Sequence, residues 1–198
     1  MDWKNETLDY YDQNAEAFAS GTLSADMENT RSRFAAHLPP KGIILDFGCG
    51  SGRDTKAFLD AGFRVDAVDG SAELCALASS YTGIEVRKML FDELDAQERY
   101  DGIWACASIL HLPRMKLANV LGRIESALKY GGVLYASFKY GEYEGLRKGR
   151  YFTDFTEETL KAFWNTATTM SVFDRWITCD VRPEREEERW MNLLARRV

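Results

Sequence analysis

The sequence predicts an α/β fold: a mostly parallel sheet with helices on both faces and an antiparallel last strand. Three observations carry this. Short apolar runs alternate with helix-length amphipathic stretches between residues 42 and 138, the pattern of repeated strand–helix–strand units with right-handed crossovers. The run at 43–47 leads into three alternating glycines, Gly48, Gly50 and Gly52, and then into a helix. Such a turn lets backbone approach a ligand at the carboxyl ends of parallel strands. The last two predicted strands are separated only by Asp180 to Glu187, too short for a crossover, so they pair antiparallel.

Each element has a local reason. Leu8, Tyr11, Ala15 and Phe18 fall at helical spacing and predict one amphipathic helix over 6–20. A second helix over 28–38 stops at Pro39-Pro40, and residues 1–40 together form a helical cap over the site. Strand 42–47 precedes a helix over 53–61 that ends at Gly62; strand 63–69 precedes a helix over 72–80 capped by Ser71. Strand 84–90 follows Gly83. Residues 101–107 are almost wholly apolar, as a central buried parallel strand requires. Pro113 opens a helix to about 129, and Gly131-Gly132 ends it ahead of strand 133–138. Residues 140–152 read as an insertion. A last helix starts at Thr156 with Glu157 and Glu158 in its first turn, and strands over 169–179 and 188–197 close the chain. With no repeat, linker or low-complexity tract, one domain spans 1–198.

Composition narrows the partners. The chain has 198 residues, 45% of them hydrophobic and 13% aromatic, enough for one well-buried domain. A net charge of −6 disfavours nucleic acid or an anionic membrane as the main partner. No apolar stretch spans a bilayer, and the N-terminus lacks the basic segment and apolar core of a signal peptide. The cysteines at 49, 75, 106 and 179 form no paired motif, so neither a disulfide framework nor a metal site is expected. These features predict a cytoplasmic protein, monomeric or weakly dimeric.

The glycine spacing selects the ligand. A dinucleotide fingerprint with Gly48 and Gly50 in its first two places needs its third glycine at 53, where this chain has Arg53. Asp46 inside the turn would repel a pyrophosphate, so a cationic or zwitterionic ligand fits better. Asp69, 69 − 46 = 23 residues beyond Asp46, stands either as a ribose acceptor or as a helix-capping acid ahead of Ser71.

The run Ile44-Leu45-Asp46-Phe47-Gly48-Cys49-Gly50-Ser51-Gly52-Arg53 resembles motif I of class I S-adenosylmethionine-dependent methyltransferases. "GCGSGRD", "YDGIWACASILHLP" and "LKYGGVLYASFK" are similar to the small bacterial tellurite-resistance-type methyltransferases, over about residues 8–140. The resemblance implies a Rossmann-like class I methyltransferase sheet. It also implies S-adenosyl-L-methionine as donor, S-adenosyl-L-homocysteine as product, and in-line transfer to O, N, S or a chalcogen oxyanion of a small molecule. It assigns Asp46, Gly48, Gly50 and Gly52 to the methionine moiety and ribose, and Asp69 to the ribose hydroxyls. Adenine is expected between Gly70 and the third strand end, held by backbone groups and by Leu90 and Phe91 where many relatives carry an Asp, although Phe91 reads equally as ordinary core. Ala105, Cys106 and Ser108 run past the methionine tail with small side chains, and Arg33 or Arg53 either pairs with the donor carboxylate or is simply solvated.

The fourth strand end lacks the Asn/Asp-Pro-Pro-Tyr sequence of base amine methyltransferases. Cys106 follows Ala105 instead of a Pro, and reads as a packed residue. His111 is either a general base or a residue closing the turn before Pro113; Tyr11 is its companion candidate, and His37 lies far off on a helix end. Substrate determinants are expected from Tyr10, Tyr11, Phe18, Lys139, Tyr140, the insertion with Arg147, Lys148 and Arg150, and the loop with Arg182 and Arg185. Those arginines suit an anionic acceptor, although Glu184 and Glu186 to Glu188 make a solvated charged loop equally natural. Competing readings are a nucleic-acid or protein methyltransferase, a non-catalytic donor-binding partner, and a nicotinamide-dependent oxidoreductase, the last opposed by Arg53.

Overall fold

The computed structural model describes residues 3–182, 185 and 187–198. Seven helices, α1 (Trp3–Gln13), α2 (Ala15–Thr22), α3 (Glu28–Ala35), α4 (Arg53–Asp60), α5 (Ala72–Thr82), α6 (Arg114–Ala127) and α7 (Glu157–Ala167), are found among them. The strands are β1 (Ile43–Phe47), β2 (Arg64–Asp69), β3 (Val86–Lys88), β4 (Tyr100–Ala105), β5 (Leu128–Lys139), β6 (Glu144–Arg147), β7 (Arg150–Thr153), β8 (Ser171–Cys179) and β9 (Arg189–Arg196). The main sheet has the order β3-β2-β1-β4-β5-β9-β8, and β9 alone runs against its neighbours. This is the Rossmann-like class I methyltransferase sheet that the sequence predicts. No helix among the described residues is long and apolar enough to cross a membrane.

Side-chain alternation along the strands builds two cores. Leu45, Phe47, Ile103, Ala105, Leu134, Ala136 and Phe138 meet α6 and α7 on one face. Ile44, Trp104, Val133 and Tyr135 meet Phe34 and Phe58 on the other, with the Trp104 and Tyr135 rings stacked 4.0 Å apart. Ser71 caps α5 by accepting from Leu74 N at 3.1 Å, and Gly83 ends it in the left-handed conformation. Thr156 caps α7.

Several boundaries differ from expectation. The helix over 6–20 is two helices that meet at Asn14, whose side chain joins its backbone N–H in donating to Tyr10 O, at 2.8 and 3.1 Å. The helix over 28–38 ends at Ala35, strand 84–90 shortens to three residues, and strand 101–107 ends at Ala105 before Ala107, whose φ is +51°. Gly131 and Gly132 do not precede β5 but lie inside it. Gly131 N donates to Arg197 O while Gly132 O accepts from Arg197 N, both at 3.0 Å, so the end of the chain extends the ladder. The insertion folds as the β6–β7 hairpin around Lys148 and Gly149, both at positive φ (+53° and +76°), the conformation of a two-residue type I′ turn. In the β8–β9 loop, Glu184 and Glu186 lie outside the described residues.

Candidate functional site

A cavity of about 1010 Å³ opens at the carboxyl ends of β1, β2, β4 and β5, beneath the N-terminal helices and the two hairpins. Its floor is the loop after β1. Gly48 N and Cys49 N both donate to Val68 O, which ties that loop to β2. Asp69 holds it from the other side: Oδ2 accepts from Gly50 N and Oδ1 from Ser71 N, both at 2.9 Å. A carboxylate has about four acceptor positions, so one on each oxygen is left for a ligand. Burial raises the Asp69 pKa, and the backbone N–H groups of Ser71, Gly50 and Gly70 oppose that rise.

The glycines answer to protein packing as well as to a ligand. A Cβ at Gly50 would lie 3.0 Å from the Phe18 ring, which overhangs the loop. At Gly52, φ is +79° and a Cβ would lie 2.8 Å from Thr82 and 3.1 Å from Ala78. Gly52 therefore serves the close approach of α4 to α5 and is not among the residues lining the cavity.

Asp46, Gly48, Gly50, Arg53, Asp69, Gly70, Leu90, Phe91, Ser108, Tyr11 and His111 all line the cavity. Ala105 does not. It points into the α6 side of the core, and the period-two alternation turns the next residue, Cys106, toward the site. Arg33 is also elsewhere: its Nε and Nη2 hold Asp174 at 2.6 and 2.8 Å, and its guanidinium lies 4.0 Å over the Trp176 ring of β8. Arg53 lines the cavity but is committed to Asp54 at 3.0 and 2.6 Å.

Asp54 is the functional-region residue the sequence does not single out. Arg31, Arg53 and the Trp104 indole N–H all donate to its buried carboxylate. Burial would raise its pKa, but Arg53 and Arg31 outweigh that and hold it below the usual range. The local hint is an acid in a helix first turn beside Arg53; its other partners come from 23 and 50 residues away. Removing one side of a buried pair strands the other, so Asp54→Ala is expected to lose about 3–5 kcal/mol of stability in urea unfolding. Behind it, Asp46 accepts from Thr55 Oγ1 at 2.6 Å, and burial, then Asp54, push its pKa up to about 7. Burial and Asp54 also push the Cys106 thiol up to about 12, so it is no ready nucleophile.

Tyr11 and His111 meet in mid-cavity. His111 Nδ1 lies 2.6 Å from Tyr151 O, and a carbonyl can only accept, so Nδ1 carries the proton. Nε2 is then the acceptor for the Tyr11 hydroxyl at 2.8 Å. Burial, with Arg150 and Arg147 adding to it, lowers the His111 pKa to about 4, while the Tyr151 bond opposes that shift. Burial raises the Tyr11 pKa against the pull of Arg150. His111 thus both closes its turn and presents an acceptor nitrogen to the cavity. The N-terminal helices are strapped over these groups: Thr7 Oγ1 accepts from Tyr151 N at 3.0 Å, Ser71 Oγ donates to Asp12, and Thr22 Oγ1 donates to Ser51 Oγ at 3.1 Å.

The sheet order, with the glycine loop closed by Asp69, is that of the Rossmann-like class I methyltransferase fold. Residues 44–132 match the family model described as a methyltransferase domain. Among curated proteins, the chain is 32% identical over 99 residues to a ubiquinone biosynthesis O-methyltransferase of Bradyrhizobium sp. (strain ORS 278), covering 48% of this chain and 38% of that protein. It is 38% identical over 101 residues to the N-terminal Xaa-Pro-Lys N-methyltransferase 1 of Danio rerio, covering 47% and 45%. The chain thus spans less than half the length of either relative. Among solved structures, it superposes with a TM-score of 0.75 and 26% identity on the 1,6-didemethyltoxoflavin-N1-methyltransferase of Burkholderia thailandensis, covering 96% of this chain and 84% of that one. That enzyme was crystallised with 1,6-didemethyltoxoflavin and S-adenosylhomocysteine.

The donor that the sequence resemblance implies is S-adenosyl-L-methionine, and the residues present fit it. Asp69 keeps acceptor positions for two hydroxyls. Lining residues 46–92 carry four acids, Asp46, Asp54, Asp69 and Asp92, against Arg53 alone, which suits a ligand with sulfonium and ammonium groups.

Proposed function

We propose that this chain transfers a methyl group from S-adenosylmethionine to a small anionic molecule, acting as one domain with residues 1–40 as its cap. The charge division of the cavity carries the reading. Opposite the acidic donor half, lining residues 139–190 supply seven cations (Lys139, Arg147, Lys148, Arg150, Arg182, Arg185, Arg189) against Asp154, Asp180, Glu187 and Glu188 among the described residues. A basic half favours an anionic acceptor and disfavours a Pro-Lys peptide terminus, despite the similarity to the Danio rerio enzyme. The names of the Bradyrhizobium and Burkholderia enzymes support a small aromatic acceptor. A chalcogen oxyanion rests on the sequence resemblance to tellurite-resistance-type enzymes and is a second acceptor to assay.

When bound, the donor supplies an electrophilic methyl carbon beside a neutral sulfide leaving group. Asp69, Gly50 and Gly70 would hold the nucleoside, Leu90 and Phe91 the adenine, and Asp46 the cationic amino end. Phe18 and Tyr11 shield the loop from water; their rings are 5.1 Å apart. Tyr11 accepts a proton from the acceptor O–H or N–H and passes its own to His111 Nε2, leaving His111 protonated on both nitrogens.

Titration with S-adenosylhomocysteine and NAD is expected to show saturable binding of the former only. Release of S-adenosylhomocysteine over a panel of phenols, nitrogen heterocycles, thiols and chalcogen oxyanions is expected with anionic members alone. Binding without turnover of any member would leave a donor-binding partner as the better reading.

The Asp46 carboxyl, raised to about 7, is protonated below that pH in the free protein, and a cation prefers its ionised form. Donor affinity is therefore expected to fall about tenfold per pH unit below pH 7 with proton uptake by Asp46, by one-proton linkage. Calorimetry at pH 6 in two buffers of different ionisation heat should show one proton released on binding. Asp46→Asn should remove that release.

A further inference from the structure

Among the seven cations of the basic half, Lys139, Arg147, Arg182 and Arg185 already hold carboxylates of the chain, and Lys148 stands in the hairpin turn with no ion pair among the described residues and no buried unsatisfied nitrogen. Arg189 lies over the Tyr140 ring, 4.8 Å from its centroid. Arg150 is different. It has no ion pair among the described residues, its Nε is buried with no hydrogen-bond partner, and its one hydrogen bond is a long one, Nη1 to Tyr11 Oη at 3.4 Å. Leaving a buried guanidinium N–H unsatisfied is costly and calls for a ligand or another explanation.

Its position is held from several sides. The guanidinium lies 4.3 Å over the Tyr10 ring and 5.2 Å from Phe152, and its backbone pairs with Arg147 across the hairpin turn. A Cβ at Gly149 would come 3.3 Å from Tyr10, so the turn itself is seated on α1. With rings against its face, a guanidinium presents its in-plane N–H fork to a planar acid.

We propose that Arg150 binds the carboxylate of an aromatic acceptor whose methylated O–H or N–H lies on the neighbouring ring position, that is, an ortho-hydroxy or ortho-amino aromatic acid. This rests on the methyltransferase reading and deepens it. The adjacency comes from the geometry: the group that binds the acid and the hydroxyl that takes the proton are 3.4 Å apart. They therefore serve two acceptor atoms about a hydrogen bond apart, as in a salicylate-like unit. The ring would lie among Tyr11, His111 and Phe152, where the His111 and Phe152 centroids are 4.9 Å apart.

The test is calorimetric titration with salicylate, 4-hydroxybenzoate and salicylamide, on the protein alone and saturated with S-adenosylhomocysteine. Salicylate is expected to bind at least tenfold more tightly than either analogue. Arg150→Gln is expected to abolish that preference, and Arg150→Lys to keep part of it, with S-adenosylhomocysteine affinity unchanged in both. No saturable salicylate binding, equal affinity for salicylate and either analogue, or a preference intact in Arg150→Gln would overturn the proposal. Failure of wild-type protein to bind S-adenosylhomocysteine would instead sink the donor reading, while the salicylate comparison on the protein alone still decides the acid site.

Discussion

Asp69→Ala is expected to weaken S-adenosylhomocysteine binding by 100-fold or more, to the limit of calorimetry. The carboxylate would give two charge-assisted hydrogen bonds to the ribose, each worth about 1.5–3 kcal/mol. It also orients the loop, since Gly50 N and Ser71 N both lose their acceptor on truncation. Asp69→Asn separates the two contributions. The amide keeps the shape, but its NH2 must face one of those backbone donors. It is therefore expected to behave like Ala in binding while melting closer to wild type. Wild-type affinity in Asp69→Ala would remove the nucleoside site from this crevice.

Tyr11→Phe and His111→Gln are each expected to lower kcat by about 10²–10⁴, the usual contribution of a positioned general base. Donor affinity should hardly change, because neither group belongs to the acidic half. The double variant should be no worse than the poorer single one, since one relay is broken in each case. The pH profiles separate the parts. With His111 lowered to about 4, its nitrogen stays neutral and able to accept at all higher pH, so kcat at saturating donor should fall only as pH drops through about 4. kcat/KM for the donor should fall already below about 7, with Asp46. A kcat limb near the ordinary histidine value would mean that His111 is not the buried neutral acceptor described above.

How far the amino-acid sequence reveals this molecule depends on the range of each interaction. Buried parallel strands announce themselves through apolar runs such as 102–105, and caps such as Ser71 act over three residues, so the sheet and most helices are readable. The glycine loop and Asp69 are readable because the turn permits few residues there. The β6–β7 hairpin is not, since Lys148 enters the left-handed region without the Asn or Asp that usually marks such a turn. Ala105 faces the core while Cys106 and Ser108 face the cavity, a matter of strand parity that composition does not register. Arg33 and Asp54 are decided by partners distant in sequence: Arg33 finds Asp174 across 141 positions, and a charge alone does not name its counter-ion. The Tyr11–His111 pair joins residues 100 positions apart, and His111 is identifiable beforehand only as a histidine near a strand end.

The strap between Thr7 and Tyr151 has a consequence for biogenesis. It spans 144 positions, so α1 meets its partner strand only after the whole intervening stretch has been made. Closing so long a loop costs entropy that local contacts do not repay early, and such pairings form late. The cavity is thus closed late in folding, and ligand binding would report the finished molecule more stringently than helix content measured by circular dichroism.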